Sequence, residues 1–273
     1  MGLLADAITE MRAELQHTPV LVASNNLRSL PELSDNLASI DSDLVIDSAS
    51  ETECALLYTS GSTGNPKGVV NTFGAYGWSC QALAKALKVS NQERMLSYLP
   101  LAHITERVYV EGASLYNGFS VAFVESLDTL AESLKAVSPT LFISVPRLWT
   151  RFQMGVLAKI PPKKLNRLLS IPILKGIVAK KIRQQLGLDS ARLFGSGSAP
   201  ISPATLHWYE RIGINISEGW GMSENNGLGT LSYPFRRDKI GCIGHPYDGV
   251  DLRIAEDGEI LVKGPNVMLG YYK

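Results

Sequence analysis

Apolar positions along this chain follow two rhythms. Short runs such as Cys54–Tyr58, Thr140–Val145 and Ile214–Ser217 are continuous or nearly so, the pattern of strands buried on both faces. Longer stretches between them space apolar residues three and four apart, the pattern of helices with one buried face. The spacing predicts strands at Val20–Ala23, Cys54–Tyr58, Arg94–Tyr98, Phe119–Val124, Thr140–Val145, Ala191–Phe194 and Ile214–Ser217. It predicts helices over Phe73–Leu87, Glu106–Tyr116, Leu127–Val137, Arg147–Ala158, Leu174–Leu186 and Pro203–Ile212. Pro146 and Pro203 stand at helix starts, where a missing N–H costs nothing. Such alternation implies an α/β fold of layered, mostly parallel sheets covered by helices. After Pro234 the texture changes: Val250–Ala255 and Glu259–Val262 read as short strands joined by a turn at Asp257-Gly258. We therefore expect a partial α/β domain over 1–233 and the start of a β-rich subdomain over 234–273.

Ser24–Ser50 is rich in Ser, Asn and Asp and reads as loop with one short strand. The sequence stops at Gly270-Tyr271-Tyr272-Lys273 without a closing helix or turn, which reads as a fragment.

Composition narrows the function classes. The chain has 273 residues with 26 acidic and 26 basic side chains, so its formal charge is zero. With no Lys/Arg cluster beside an aromatic row, it lacks the electrostatic footprint of a nucleic-acid binder. The longest basic cluster, Lys175–Arg183, is most simply a surface helix with a solvated basic face; peripheral contact with a membrane is the alternative. Cys54, Cys80 and Cys242 are too few and too scattered for a disulfide framework or a zinc site, which points to a reducing compartment. The first residues lack the uncharged apolar core of a signal peptide, and no run of about 18 apolar residues appears. A cytoplasmic protein is expected, with peripheral membrane contact as the variant. Oligomeric state leaves no mark in the sequence.

The most informative stretch is Leu56–Gly68, LLYTSGSTGNPKG. A strand opens into hydroxyls and glycines, Thr59, Ser60, Gly61, Ser62, Thr63 and Gly64, and closes on Pro66, Lys67 and Gly68. Glycines let successive N–H groups converge on an anion, hydroxyls add donors, and Lys67 adds a mobile charge. A solvated loop is the plain alternative. It is not a Walker A loop, because Pro66 stands where that pattern needs its second Gly.

Further patches follow predicted strands. His103, in YLPLAHITER, falls at a strand-to-helix junction, where open α/β sheets place ligands; a packing or helix-start role is the alternative. Glu106 and Arg107 start the next helix and otherwise read as an exposed charge pair. Gly195–Pro200 (GSGSAP) lets backbone approach a flat ring closely. Glu218-Gly219-Trp220-Gly221-Met222-Ser223-Glu224 sets an aromatic face between glycines, suited to stacking on a purine. Glu224 offers hard oxygens suited to Mg²⁺.

Taken together, these segments occur in the order found in the adenylate-forming enzymes: acyl-CoA synthetases, luciferases and peptide-synthetase adenylation domains. The chain resembles that superfamily over roughly Asp47–Lys273, and Leu99–Val108 and Val145–Phe152 are most similar to long-chain fatty-acid–CoA ligases. The resemblance implies ATP and Mg²⁺ with coenzyme A as co-substrate and a fatty acid as the activated carboxylate. It implies that Thr59, Ser60, Gly61, Ser62, Thr63, Gly64 and Lys67 hold phosphates. Gly197, Ser198, Ala199 and Pro200 with Glu218, Gly219, Trp220, Gly221, Met222 and Ser223 would place the adenosine. Thr59 and Glu224 would hold the metal, and His103 would border the acyl carboxylate, with a tunnel beneath Ile104 and Trp78. Lys67, His103 and Glu224 are the expected catalytic set. Departures are the short stretch before the phosphate loop and the lack of the family's small C-terminal domain with its adenylation lysine. Rival readings are another carboxylate-adenylating enzyme for aryl or amino acids and a non-catalytic nucleotide- or acyl-binding module. A serine hydrolase fails at Asn225, where G-x-S-x-G needs Gly.

Overall fold

A computed structural model describes residues 50–59 and 66–272. The predicted strand Val20–Ala23 and the hydroxyl–glycine run Ser60 to Gly64 lie outside the described residues.

Strand β1 (Glu53–Thr59) pairs antiparallel with β2 (Lys67–Thr72), with Thr59 opposite Lys67 and Leu57 opposite Val69. On the far side of β2 lies β12 (Gly270–Tyr272), with Tyr272 opposite Gly68. This middle strand is absent from the sequence reading, which ended the loop at Gly68. Its apolar signal is only Val69-Val70 before the helix cap begins, too brief to register as a period. A side chain at Gly68 would stand 2.9 Å from Leu56 Cδ1 and 3.1 Å from Tyr272 Cβ, so glycine lets the neighbouring strands close over β2.

Helix α1 (Phe73–Leu87) starts where the Thr72 hydroxyl accepts the Ala75 N–H at 3.2 Å, and it buries Ala75, Ser79, Leu83 and Leu87 at four-residue spacing. The parallel strands β3 (Arg94–Ser97) and β4 (Ser120–Phe123) are joined by a π-helical segment, Glu106–Gly112, and the short α2 (Ala113–Asn117). The wide winding sets Gly112 against α1, where a Cβ would meet Tyr76 Oη at 2.6 Å. The Tyr76 hydroxyl donates to the Arg107 carbonyl at 2.6 Å.

Next come α3 (Leu130–Val137), β5 (Leu141–Ser144), α4 (Pro146–Lys159), α5 (Pro162–Ser170), α6 (Pro172–Leu186), β6 (Leu193–Ser196), α7 (Pro203–Arg211) and β7 (Ile216–Trp220). Helix α5 is a further addition to the sequence reading. Strands β5, β6 and β7 run parallel, and β8 (Thr230–Leu231) and β9 (His245–Pro246) extend the sheet antiparallel. A hairpin of β10 (Asp251–Ile254) and β11 (Ile260–Lys263) completes the described elements.

Alternation along β5 and β6 sends Phe142 and Phe194 into one core around Trp149, Tyr209 and Ile216. Leu141 and Leu193 enter a second core with Leu83, Leu87, Val108 and Phe119. Both faces of the parallel strands are thus covered, as their continuous apolar runs require. Among the described residues no helix is long and apolar enough to cross a membrane.

Candidate active site

The parallel strands end together. Ile143, Gly195 and Ser217 lie side by side, and one residue further Ser144, Ser196 and Glu218 do the same. Beyond these ends opens a cavity of about 230 Å³ between the sheet and the segment that begins the π-helical turn. Its inner wall is apolar, formed by Leu87, Leu193, Ile143, Ile104 and Tyr109; Gly197, Ser198, Met222 and Ser223 line its polar end. The hydroxyls of Ser144 and Ser196 are buried in it and have no partner among the described residues. Polar groups taken from water at such a place favour a ligand or water that can bond them.

His103 also lines this cavity. Its Nδ1 accepts the Thr105 N–H at 3.2 Å, which assigns the remaining proton to Nε2. Burial pulls its pKa below the ordinary value, so the ring is neutral at pH 7 and can donate from Nε2. Glu106 is only 1% exposed and does not pair with Arg107. Arg107 instead pairs with Glu111 at 2.9 Å, which corrects the exposed-pair reading for Glu106. Burial pushes the Glu106 pKa up, and its two oxygens lack partners among the described residues.

After β6, Gly197 backs onto the Gly219 carbonyl, 3.2 Å from where a Cβ would stand, and Ser198 adopts φ +67°. Ser198, Ala199 and Pro200 are exposed beside the cavity. Glu218 is buried, burial raises its pKa, and it is not among the residues that line the cavity. Trp220 is half-buried, one face closed by Gly229, where a side chain would collide with the ring. Gly221 likewise passes the Gly227 backbone too closely for a Cβ.

The turn after Trp220 is held by asparagines that the sequence reading did not select. Asn225 Oδ1 accepts the Met222 N–H at 2.8 Å. Asn226, at φ +51°, donates to Asn71 Oδ1 at 3.2 Å and to the Asn266 carbonyl at 3.0 Å. Asn266 donates to the carbonyls of Asn225 (2.9 Å) and Leu228 (2.6 Å). All four amides are at least 98% buried, and they tie β2, the turn and the approach to β12 into one unit. Asparagine in a sequence signals turns, so only tertiary context reveals this role.

That unit presents Glu224. Its carbonyl accepts the Met268 N–H at 2.8 Å, and its Oε1 accepts the Tyr271 hydroxyl at 2.9 Å. Over the same Tyr271 ring stands Lys67 Nζ, 5.2 Å from the centroid. Thr59, opposite Lys67, turns its hydroxyl toward the Lys67 carbonyl at 3.5 Å. The structure therefore brings Lys67 and Glu224 to one ring, with Thr59 opposite Lys67 on the neighbouring strand, and Ser223, next to Glu224, lines the cavity. Trp78 does not line this cavity; it lines a separate groove with Tyr116, Tyr233 and Tyr247.

One carboxylate, one hydroxyl and one ammonium suit a phosphate group carrying Mg²⁺, which keeps most of its coordination for phosphate and water. Among the described residues no group of three or more His, Cys, Asp or Glu could hold a metal without such help. The sequence matches the family described as AMP-binding enzyme over residues 4–272. The chain belongs to the AMP-binding enzyme family.

Among the relatives of this chain is the fatty-acid–CoA ligase named fadD11 of Mycobacterium tuberculosis, 35% identical over 247 residues, 80% of this chain and 43% of that protein. The long-chain-fatty-acid–CoA ligase ACSBG2 of Homo sapiens is 29% identical over 303 residues, 97% of this chain and 45% of its own length. Among solved structures, MenE of Bacillus subtilis in complex with ATP and magnesium ion superposes with a TM-score of 0.62 at 26% identity, covering 82% of this chain and 44% of MenE. The chain spans less than half the length of these relatives.

Proposed function

We propose that this chain forms the nucleotide- and acyl-holding part of an enzyme that activates a fatty acid to its acyl-adenylate and then to acyl-CoA. The observation that carries the reading is the convergence of Lys67 and Glu224 on Tyr271, with Ser223, the neighbour of Glu224, lining an apolar cavity that His103 also lines. A carboxylate is a poor electrophile and needs a leaving group before a thiol can displace it. Attack of the carboxylate oxygen on the α-phosphorus of ATP, with loss of pyrophosphate, supplies that group as AMP; the coenzyme A thiolate then forms the thioester and AMP leaves.

Such phosphoryl chemistry depends on positioning and charge neutralisation. Lys67, with the loop before it, holds the terminal phosphates. Glu224 and Thr59 hold Mg²⁺, which supplies charge neutralisation on the phosphate oxygens. Trp220 and Gly197–Pro200 place the adenine ring. His103 Nε2–H donates to the acyl carboxylate, and the wall of Ile104, Ile143, Leu193 and Leu87 takes the aliphatic tail. The aliphatic character of this wall favours a fatty acid over an amino acid.

The test is ATP–pyrophosphate exchange driven by a panel of carboxylates, in a protein that carries this chain within the length its relatives have. Fatty acids should drive exchange, and Lys67→Ala and Glu224→Ala should each lower it about a hundredfold or more. Exchange unchanged in both variants would refute the assignment. Exchange driven by aryl or amino acids instead would move the substrate class.

A further inference from the structure

Between Pro146 and Leu188 the chain carries ten Lys and Arg residues and neither Asp nor Glu, although the whole chain is balanced at 26 against 26. Nine of the ten are exposed, and Arg183 donates to the Ile212 carbonyl at 2.6 Å. Among the described residues none of the ten forms an ion pair. Helices α5 and α6 meet in this stretch with only Ile171 between them. At that corner Ile171, Ile173 and Ile177 are 42%, 79% and 53% exposed.

The spacing organises the surface. On α6, Ile173, Ile177, Lys180 and Lys181 share one face, whereas Ala179 and Ile182 lie on the opposite, buried one. Arg167 stands in the last turn of α5 and Lys175 in the first turn of α6. Single exposed isoleucines are ordinary, but three at one corner rimmed by unpaired cations are not. A solvated charged face would intersperse acids, and a nucleic-acid surface would offer aromatic rings for stacking. Aliphatic side chains beside ammonium groups match a bilayer surface, where the first enter the acyl boundary and the second meet anionic headgroups.

We propose that the α5–α6 corner docks on an anionic lipid surface, with Ile171, Ile173 and Ile177 inserted and Arg167, Lys180 and Lys181 at the headgroups. This inference does not rest on the activity proposed above, since none of these residues lines the cavity.

Co-sedimentation with phosphatidylcholine vesicles, with and without ~30 mol % phosphatidylserine, tests it. The chain should partition onto the anionic vesicles and be released by high salt. Lys180→Gln with Lys181→Gln should weaken partitioning about 25-fold, roughly fivefold for each cation. Ile173→Ser with Ile177→Ser should weaken it about tenfold or more. Both pairs are exposed, so thermal melts should stay unchanged and exclude misfolding. Failure of the unaltered chain to partition would overturn the proposal, as would partitioning indifferent to either pair. Binding to a DNA duplex that survives the serine pair but not the glutamine pair would mark a plain polyanion surface instead. A serine pair that halves the mass in light scattering without altering vesicle binding would mark a contact between copies. Either outcome rejects lipid docking.

Discussion

Tyr271 donates a 2.9 Å hydrogen bond to Glu224, and the same ring lies 5.2 Å beneath the ammonium of Lys67. Those two residues are 157 positions apart in sequence, and one aromatic side chain reaches both. The phenol thus engages one oxygen of the carboxylate proposed to hold the metal. Its pKa is raised because the Glu224 carboxylate accepts its proton in a hydrogen bond. On this geometry the phenol competes for one of the two Glu224 oxygens that would hold Mg²⁺.

Tyr271→Phe therefore removes a competitor while keeping the ring under Lys67. Affinity for Mg·ATP should rise about two- to tenfold, the worth of one modest hydrogen bond. Isothermal titration of both proteins reads this directly; weaker binding in the phenylalanine variant would mean the hydroxyl serves the ligand.

The asparagine cluster should be costly to break. Asn266→Ala leaves the Leu228 carbonyl without its donor, while the Asn225 carbonyl keeps only the Leu228 N–H. A loss of about 1–3 kcal/mol is expected from urea unfolding, one unsatisfied group's worth. Because the same amide holds the Glu224 turn, nucleotide affinity should fall in the variant even where it remains folded. A stability change within ~0.5 kcal/mol would show that the network is dispensable.

Glu93 makes stability depend on acid. Its desolvation alone would raise the pKa, but hydrogen bonds from Arg192 (2.6 Å) and Thr140 outweigh that and hold the carboxyl below its ordinary 4.5. The folded state therefore keeps this group charged at lower pH than the unfolded chain does. Its stabilisation is full above the ordinary value and disappears as pH falls through the depressed one. Glu93→Gln should cost about 1–3 kcal/mol at pH 7 and flatten the decline in stability toward about pH 3. An equally steep decline in the variant would assign acid sensitivity to other groups.

The neutral state of His103 is checked by proton NMR. Burial lowers its pKa, so its ring signal should titrate with a midpoint below 6.5, and His103→Gln identifies the resonance. A midpoint above that value would require an anionic neighbour and would change its proposed donor role.

The sequence carried the elements with strong periodicity: α1 spans Phe73–Leu87, the stretch its apolar spacing predicts. The strands ending at Ser196 and Trp220 run further than their apolar runs, because Gly195 and Gly219 continue the ladder without an apolar side chain. The π-helical winding at Glu106–Gly112 was not legible, since the spacing reads as an ordinary helix and the close approach of Gly112 to Tyr76 and Cys80 is tertiary. Motif residues such as His103 and Ser223 were legible because their chemistry is local to a strand end. The role of Tyr271 was not: an aromatic residue near a terminus reads as strand or core, and only β12 lying beside β2 brings it to Lys67. The buried state of Glu106 was equally hidden, because a charged pair at a helix start reads as solvated.

The central claim is that Lys67 and Glu224 serve one nucleotide. Equilibrium binding of ATP across a Mg²⁺ titration, in the unaltered chain and in Lys67→Ala, Glu224→Ala and the double variant, tests it most directly. A shared site predicts that Mg²⁺ strengthens binding in the unaltered chain but not in Glu224→Ala, and that the double variant loses less than the product of the single losses. Magnesium dependence unaltered by the loss of Glu224, with fully additive losses, would place the two residues at separate sites and contradict the account.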